Sequence, residues 1–219
     1  MEIMSAINIF DIDEGKLGIW KFKESDDELL NSFRFSKNEK EEFQRLKHEK
    51  RKREYLAVRL LLNEMLGEKT EITYNASGRP ELQDGLVNIS ISHSADLAVV
   101  VLSDKNIGVD TENIFRKTEQ VANRFLSEQE QQNIEASENP DLLRIIYWCA
   151  KEAAFKFSKT PEIEFKTQII VHPVNSTPNK GKFTGELQKT KPYTDLTFTY
   201  IFLENNVVVY CVEKEKIEK

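Results

Sequence analysis

Between Ile3 and Phe22, apolar residues cluster on either side of the turn-forming triplet Asp13-Glu14-Gly15, which predicts a hairpin of two strands, Ile3 to Ile12 and Lys16 to Phe22. From Ser36 the period becomes helical. Phe43, Leu46, Leu56, Leu60, Leu62, Met65 and Leu66 recur at mostly helical intervals and Gly67 supplies a stop, so one helix or two in tandem is expected up to Leu66. The pattern then shortens into β-rich runs at Ile72 to Tyr74, Val87 to Ser92, Leu97 to Leu102 and Ile107 to Glu112, parted by loops at Asn75 to Pro80 and Ser103 to Asn106. These runs read as one small sheet.

After this sheet the order starts again. Arg34-Phe35-Ser36 opens the first helical stretch, and Arg124-Phe125-Leu126-Ser127, followed by acidic and Gln residues suited to a helix start, opens a second. Tyr55-Leu56-Ala57-Val58-Arg59 lies about 93 positions before Trp148-Cys149-Ala150-Lys151-Glu152. The second helical region breaks at Asn139-Pro140 and continues from Asp141 to about Ser158; β-like runs follow at Phe165 to Val171, Lys182 to Leu187, Leu196 to Phe202 and Val207 to Val212. The expected fold class is therefore α+β, a pair of similar lobes over residues 1–106 and 107–219 with a ligand site in the cleft between them. The alternative is a chance likeness between two amphipathic helices.

Composition narrows the class. With 39 % hydrophobic residues, 8 Gly and 6 Pro in 219 residues, the chain is able to bury a core, which excludes disorder and low-complexity arrays. No run approaches the roughly 20 apolar residues needed to span a bilayer, and Met1 to Phe10 lacks the pattern of a secretory signal, so a cytoplasmic protein without a membrane partner is expected. Cys149 and Cys211 are too few for a disulfide scaffold or a thiolate zinc site. The formal charge of −6 argues against nucleic acid as a partner, because phosphate binding needs a basic footprint.

Four clusters have chemical potential. In Gly108-Val109-Asp110-Thr111-Glu112 the alternation of a strand sends Asp110 and Glu112 to one side, either as a solvated strand end or as a pair requiring a hard cation such as Mg²⁺. In Trp148 to Lys156, a stripe of Ile146, Cys149, Ala150, Ala153 and Phe157 faces the core, and Glu152 and Lys156 share a flank with Trp148, as a surface ion pair or as chemistry. His93, set in Ser90-Ile91-Ser92-His93-Ser94, is flanked by hydroxyls that suit an anionic group, or is structural. The basic run Lys47 to Arg53 and the Arg of Asn75-Ala76-Ser77-Gly78-Arg79-Pro80 are solvated charge or phosphate holders. There is no G-x-S-x-G elbow, which weakens a serine-triad hydrolase, and no Gly-rich phosphate loop of the Walker or Rossmann kind, which excludes the commonest nucleotide folds.

In order, G-R-P at Gly78 to Pro80, S-H-S at Ser92 to Ser94, G-V-D-T-E at Gly108 to Glu112 and W-C-A-K-E-A-A-F-K at Trp148 to Lys156 resemble the signature of the surfactin-type 4′-phosphopantetheinyl transferases, in the holo-acyl-carrier-protein synthase superfamily. The monomeric members are pseudo-dimers of two α+β lobes, so the resemblance implies a monomer with a pseudo-two-fold axis. It further implies transfer of the phosphopantetheine arm of coenzyme A to a serine of an acyl or peptidyl carrier protein, releasing 3′,5′-ADP. The implied metal ligands are Asp110, Glu112 and Glu152, holding Mg²⁺ with Mn²⁺ as a substitute; Glu152, Glu112 and Lys156 carry the implied catalysis, the choice of base between the two glutamates staying open. Coenzyme A contacts carry over to Arg79, Pro80, Ser92, His93, Asp110 and Lys156, with Arg53 chosen from the basic run to share the 3′-phosphate with His93. Cys149 and Ala150 depart from the family pattern at positions that face the core. Phe115 and Phe125, with Arg116, Lys117 and Arg124, are expected at the carrier-docking surface, where an acidic carrier has to overcome a net charge of −6. The rival readings are a non-catalytic protein of the same fold that binds coenzyme A or a carrier protein, and a metal-dependent phosphodiesterase.

Overall fold

The computed structural model describes residues 7–215 apart from 84, 86, 95, 96, 161, 176, 178 and 190, so positions 3–6 of the expected first strand lie outside the described residues. The chain divides into two compact units, Met1–Asp104 and Lys105–Lys219. Each unit is α+β, as expected from the alternating periods.

In the first unit, β1 (Ile7–Ile12) and β2 (Gly15–Lys21) form the hairpin. Helix α1 (Asp26–Ser32) follows, an element absent from the periodicity because its seven residues bury only Leu29; the reciprocal capping bonds of Ser25 and Glu28 start it. The helical region 36–66 is two helices, α2 (Lys37–Arg45) and α3 (Glu49–Leu66), the second ending at Gly67 in left-handed backbone. Strands β3 (Ile72–Tyr74), β4 (Pro80–Leu82), β5 (Asn88–Ser94) and β6 (Leu97–Ser103) complete the unit. Helix α3 covers the sheet with Leu56, Leu60, Leu61 and Met65, which pack with Trp20, Ala98 and Val100 in one core.

The second unit begins with β7 (Ile107–Asn113). A 3-10 turn at Glu119–Val121 leads into α4 (Ala122–Phe125), then α5 (Glu128–Glu135) and α6 (Pro140–Ser158), whose start at Asn139-Pro140 follows from an Asn cap and a proline at the first helical position. The rest is α7 (Phe165–Gln168), β8 (Ile169–Val171), β9 (Lys180–Leu187), β10 (Thr194–Leu203) and β11 (Asn206–Glu213). The stripe Ile146, Cys149, Ala150, Ala153 and Phe157 is buried, against Val207, Val209 and Cys211 among others. Burying each large apolar side chain contributes about 1.5–3 kcal/mol, so this face decides which way α6 is turned.

Three expectations are corrected. The β runs between Ile72 and Glu112 do not make one sheet: β3 pairs with β4, β5 and β6 join the hairpin in the order β1-β2-β6-β5, and β7 belongs to the order β7-β11-β10-β9-β8. Strand propensity marks each run but does not say which strand it pairs with. The run Phe165 to Val171 is strand only from Ile169, because its first four residues form α7. Finally, Tyr55 to Arg59 corresponds to Tyr147 to Lys151, at a separation of 92 positions, once the side chains that do equivalent work are matched (below).

Candidate active site

Strand β7 and helix α6 lie close together, and Gly108 makes this possible. A Cβ at Gly108 would come within 2.0 Å of the Ala153 carbonyl oxygen and 2.8 Å of the Phe157 nitrogen. Only glycine therefore lets the helix backbone rest on the strand, and the next residues of β7 meet the helix flank that carries Glu152 and Lys156.

Lys156 Nζ donates to Asp110 Oδ1 at 2.8 Å and to the Val109 carbonyl at 2.9 Å. Glu112 accepts from the Asn113 N–H at 2.9 Å through Oε1, and through Oε2 from Arg116. The Arg116 guanidinium lies over the Trp148 ring, 5.2 Å from its centroid. Glu152 is pushed up to about 7, chiefly by burial and then by the Asp110 carboxylate; Lys156 and Arg116 act against this shift and Glu112 adds to it. The structure thus brings together Asp110, Glu112, Glu152 and Lys156, from two segments about forty residues apart in the chain.

Sequence reasoning missed two participants. The Cys149 thiol, fully buried, hydrogen-bonds to Asp110, and burial with the Asp110 and Glu112 charges raises it well above the ordinary thiol range, so it stays protonated as a donor. Arg116, expected at a docking surface, is exposed and is in addition a partner of Glu112 and Trp148. Nothing in the spacing marks Cys149 as a donor; the four-residue interval from Glu112 to Arg116 was the available signal for the other. Phe125 is also corrected: it is buried, its ring 5.0 Å from that of Trp148, whereas Phe115 is 71 % exposed and Lys117 and Arg124 are exposed.

The coenzyme A candidates of the first unit fall in two places. On β5, Ser92 is buried, and His93 Nδ1 lies 3.2 Å from Glu54 Oε1 while Nε2 lies 3.3 Å from Arg51 Nη1. These partners suit one tautomer, with the proton on Nδ1 and the Nε2 lone pair accepting from Arg51. Glu54, buried on α3, also pairs with Arg51 at 3.1 Å and with Lys50 at 3.7 Å. Arg53 turns elsewhere, to Asp26 at 2.9 Å, the Glu24 carbonyl at 3.1 Å and the face of Phe22. Two residues along a helix are a rotation of about 200°, and the register of α3 puts Arg51 rather than Arg53 on the His93 side. Arg79 and Pro80 end the turn organised by Asn75, whose Oδ1 accepts from the Ser77 and Arg79 nitrogens; burial lowers the Arg79 guanidinium, and Glu81 acts against that.

A cation has a chemically suitable donor set at β7 and α6: three carboxylates, hard oxygen donors, whose mutual repulsion helps to lift Glu152. Among the described residues no three His, Cys, Asp or Glu side chains form a ready cage; Lys156 and Arg116 pair with two of the carboxylates. No helix among the described residues is long and apolar enough to cross a membrane.

Comparison with protein families gives two matches. Residues 106–209 match the 4′-phosphopantetheinyl transferase superfamily, and residues 39–103 match the 4′-phosphopantetheinyl transferase N-terminal domain. No curated protein matches the chain.

Proposed function

Since the chain belongs to the 4′-phosphopantetheinyl transferase superfamily, we propose that it transfers the phosphopantetheine arm of coenzyme A to a serine of an acyl or peptidyl carrier protein in the manner of the surfactin-type enzymes, with Mg²⁺. The observation that carries this reading is the meeting of Asp110, Glu112, Glu152 and Lys156, held by the close approach of α6 to β7 at Gly108.

In the reaction the serine oxygen bonds to the β-phosphorus of coenzyme A, the bond from that phosphorus to the bridging oxygen breaks, and 3′,5′-ADP departs with the bonding pair. Asp110, Glu112 and Glu152 would hold the divalent cation, which neutralises charge on the diphosphate when bound. A carboxylate of the same cluster takes the serine proton. Lys156, anchored by the Val109 carbonyl, is placed to donate to a phosphate oxygen and offsets the carboxylates. The Cys149 thiol orients Asp110 from the core side. In the first unit, Arg51 takes the place expected of Arg53: with His93 it is suited to the 3′-phosphate, and Ser92 and the Arg79–Pro80 turn complete the coenzyme A contacts. Acting as one catalytic unit, a cytoplasmic monomer suffices for this chemistry.

The test is an incubation with coenzyme A, Mg²⁺ and an apo carrier protein, read by the intact mass of the carrier. Gain of the phosphopantetheine arm is expected, and its loss with Asp110→Ala. Release of ADP without gain overturns transfer in favour of hydrolysis, and unchanged transfer by Asp110→Ala overturns the assignment of the cluster. Arg51→Ala is expected to raise the coenzyme A KM more than Arg53→Ala does; the reverse order restores Arg53.

A further inference from the structure

Arg116 follows β7 by three residues and is 46 % exposed at its side chain, whereas its partner Glu112 is only 15 % exposed, so the guanidinium reaches inward from the surface. Three contacts hold it there: the ion pair with Glu112 Oε2, the face of Trp148, and electrostatic attraction to Glu152. A planar guanidinium can meet a carboxylate at its edge while it lies on an indole face, which an ammonium cannot. The other oxygen of Glu112 already accepts from the Asn113 N–H, and Asp110 is held by Lys156, which is more buried and tied to the Val109 carbonyl. Of Lys156 and Arg116, Arg116 is the one that can leave without unpacking the helix.

We propose that Arg116 is a displaceable counter-ion of the carboxylate cluster, which competes with a divalent cation for Glu112. This rests on the reading of Asp110, Glu112 and Glu152 as a cation site. While no cation is bound, the guanidinium relieves the repulsion among the carboxylates; when one binds, Arg116 gives up Glu112. The cost of that exchange lowers the apparent affinity for the cation.

The experiment measures Mn²⁺ binding, without substrate, from the resonance signal of the free ion. Arg116→Met keeps the stem over Trp148 and removes the competitor, and is expected to bind Mn²⁺ about two- to fivefold more tightly than the unaltered protein, the range that a half-exposed ion pair supports. Lys117→Met removes the same charge from the next residue and is expected to change binding by less than about twofold. Arg116→Lys falls between. Equal affinity of Arg116→Met and the unaltered protein, or an equal gain with Lys117→Met, overturns the competition while leaving the cation site intact. Absence of Mn²⁺ binding in all of them overturns the cation-site reading and the competition with it.

Discussion

Glu39 and Glu130 hold the same place in two helices, and the surroundings answer them to different degrees. Each is the third helical residue after a capping serine, Ser36 or Ser127, with reciprocal side-chain and backbone bonds, and each is buried beside a cation from a long helix, Arg59 on α3 or Lys151 on α6. In the second unit the pair is complete. Lys151 Nζ is 2.9 Å from Glu130 Oε2 and donates to the carbonyls of Phe165 at 2.8 Å and Ile169 at 2.5 Å, while Glu130 Oε1 accepts from the Val171 nitrogen at 2.9 Å. In the first unit the Arg59 Nε to Glu39 Oε1 distance is 3.8 Å, and both atoms are buried without a hydrogen bond among the described residues. Arg59 leans instead on the Tyr55 ring and on Glu42 at 3.3 Å, and Glu39 on Lys69 at 3.0 Å, partners open to water.

A buried ion pair is firm only when every donor and acceptor is satisfied, since desolvation otherwise cancels the attraction. The complete version lies one residue from Glu152. It ties α6 to α5, α7 and β8 at that point, which fixes the rotation of the helix that presents Glu152 and Lys156.

The sharpest way to break the comparison is to delete one cation from each pair. Lys151→Met strands Glu130 in the core and is expected to cost about 3–5 kcal/mol in denaturant unfolding, against about 1–2 kcal/mol for Arg59→Met, whose glutamate keeps Lys69. Equal losses would falsify the distinction. Glycine contacts extend it: a Cβ at Gly108 meets helix backbone, whereas one at Gly18 meets the Met65 sulfur at 2.3 Å, the end of a flexible side chain. Gly108→Ala should therefore cost about 2–3 kcal/mol, and Gly18→Ala about 1 kcal/mol after Met65 moves; the larger loss of carrier modification with Gly18→Ala would contradict this. At the capping serines the units should agree, with Ser36→Ala and Ser127→Ala each costing about 1 kcal/mol by thermal denaturation.

The smallest effect concerns pH. Burial holds Lys151 below the ordinary lysine value of 10.5, with Glu130 acting against it. The folded state releases this proton at a lower pH than the unfolded chain does, so the unfolded chain binds more protons in the alkaline window below 10.5 and the Lys151 contribution to stability rises with pH there. Unfolding of the native protein and of Lys151→Met, compared across that window, should show the native advantage widening. A constant difference would remove the lysine from the account.

Much was legible before any fold was known. The serine caps, the Asn139-Pro140 break, the buried stripe of α6 and the order of the four motifs are local or periodic properties, written in residues a few positions apart. The side-by-side placement of Asp110 and Glu112 followed from strand alternation in the same way. Sheet partnership did not, because β7 pairs with β11 about a hundred residues later rather than with the adjacent runs. Nor did the contact of Arg51 rather than Arg53 with His93, which depends on how α3 is rotated over its sheet, the ion pair of Arg116 with Glu112, or the burial of Phe125 in the core. Local sequence determines where elements start, stop and turn their apolar face, because those energies act between neighbours. Which distant charge stands opposite which carboxylate was decided only by tertiary packing, where a single missing Cβ at Gly108 lets α6 settle onto β7.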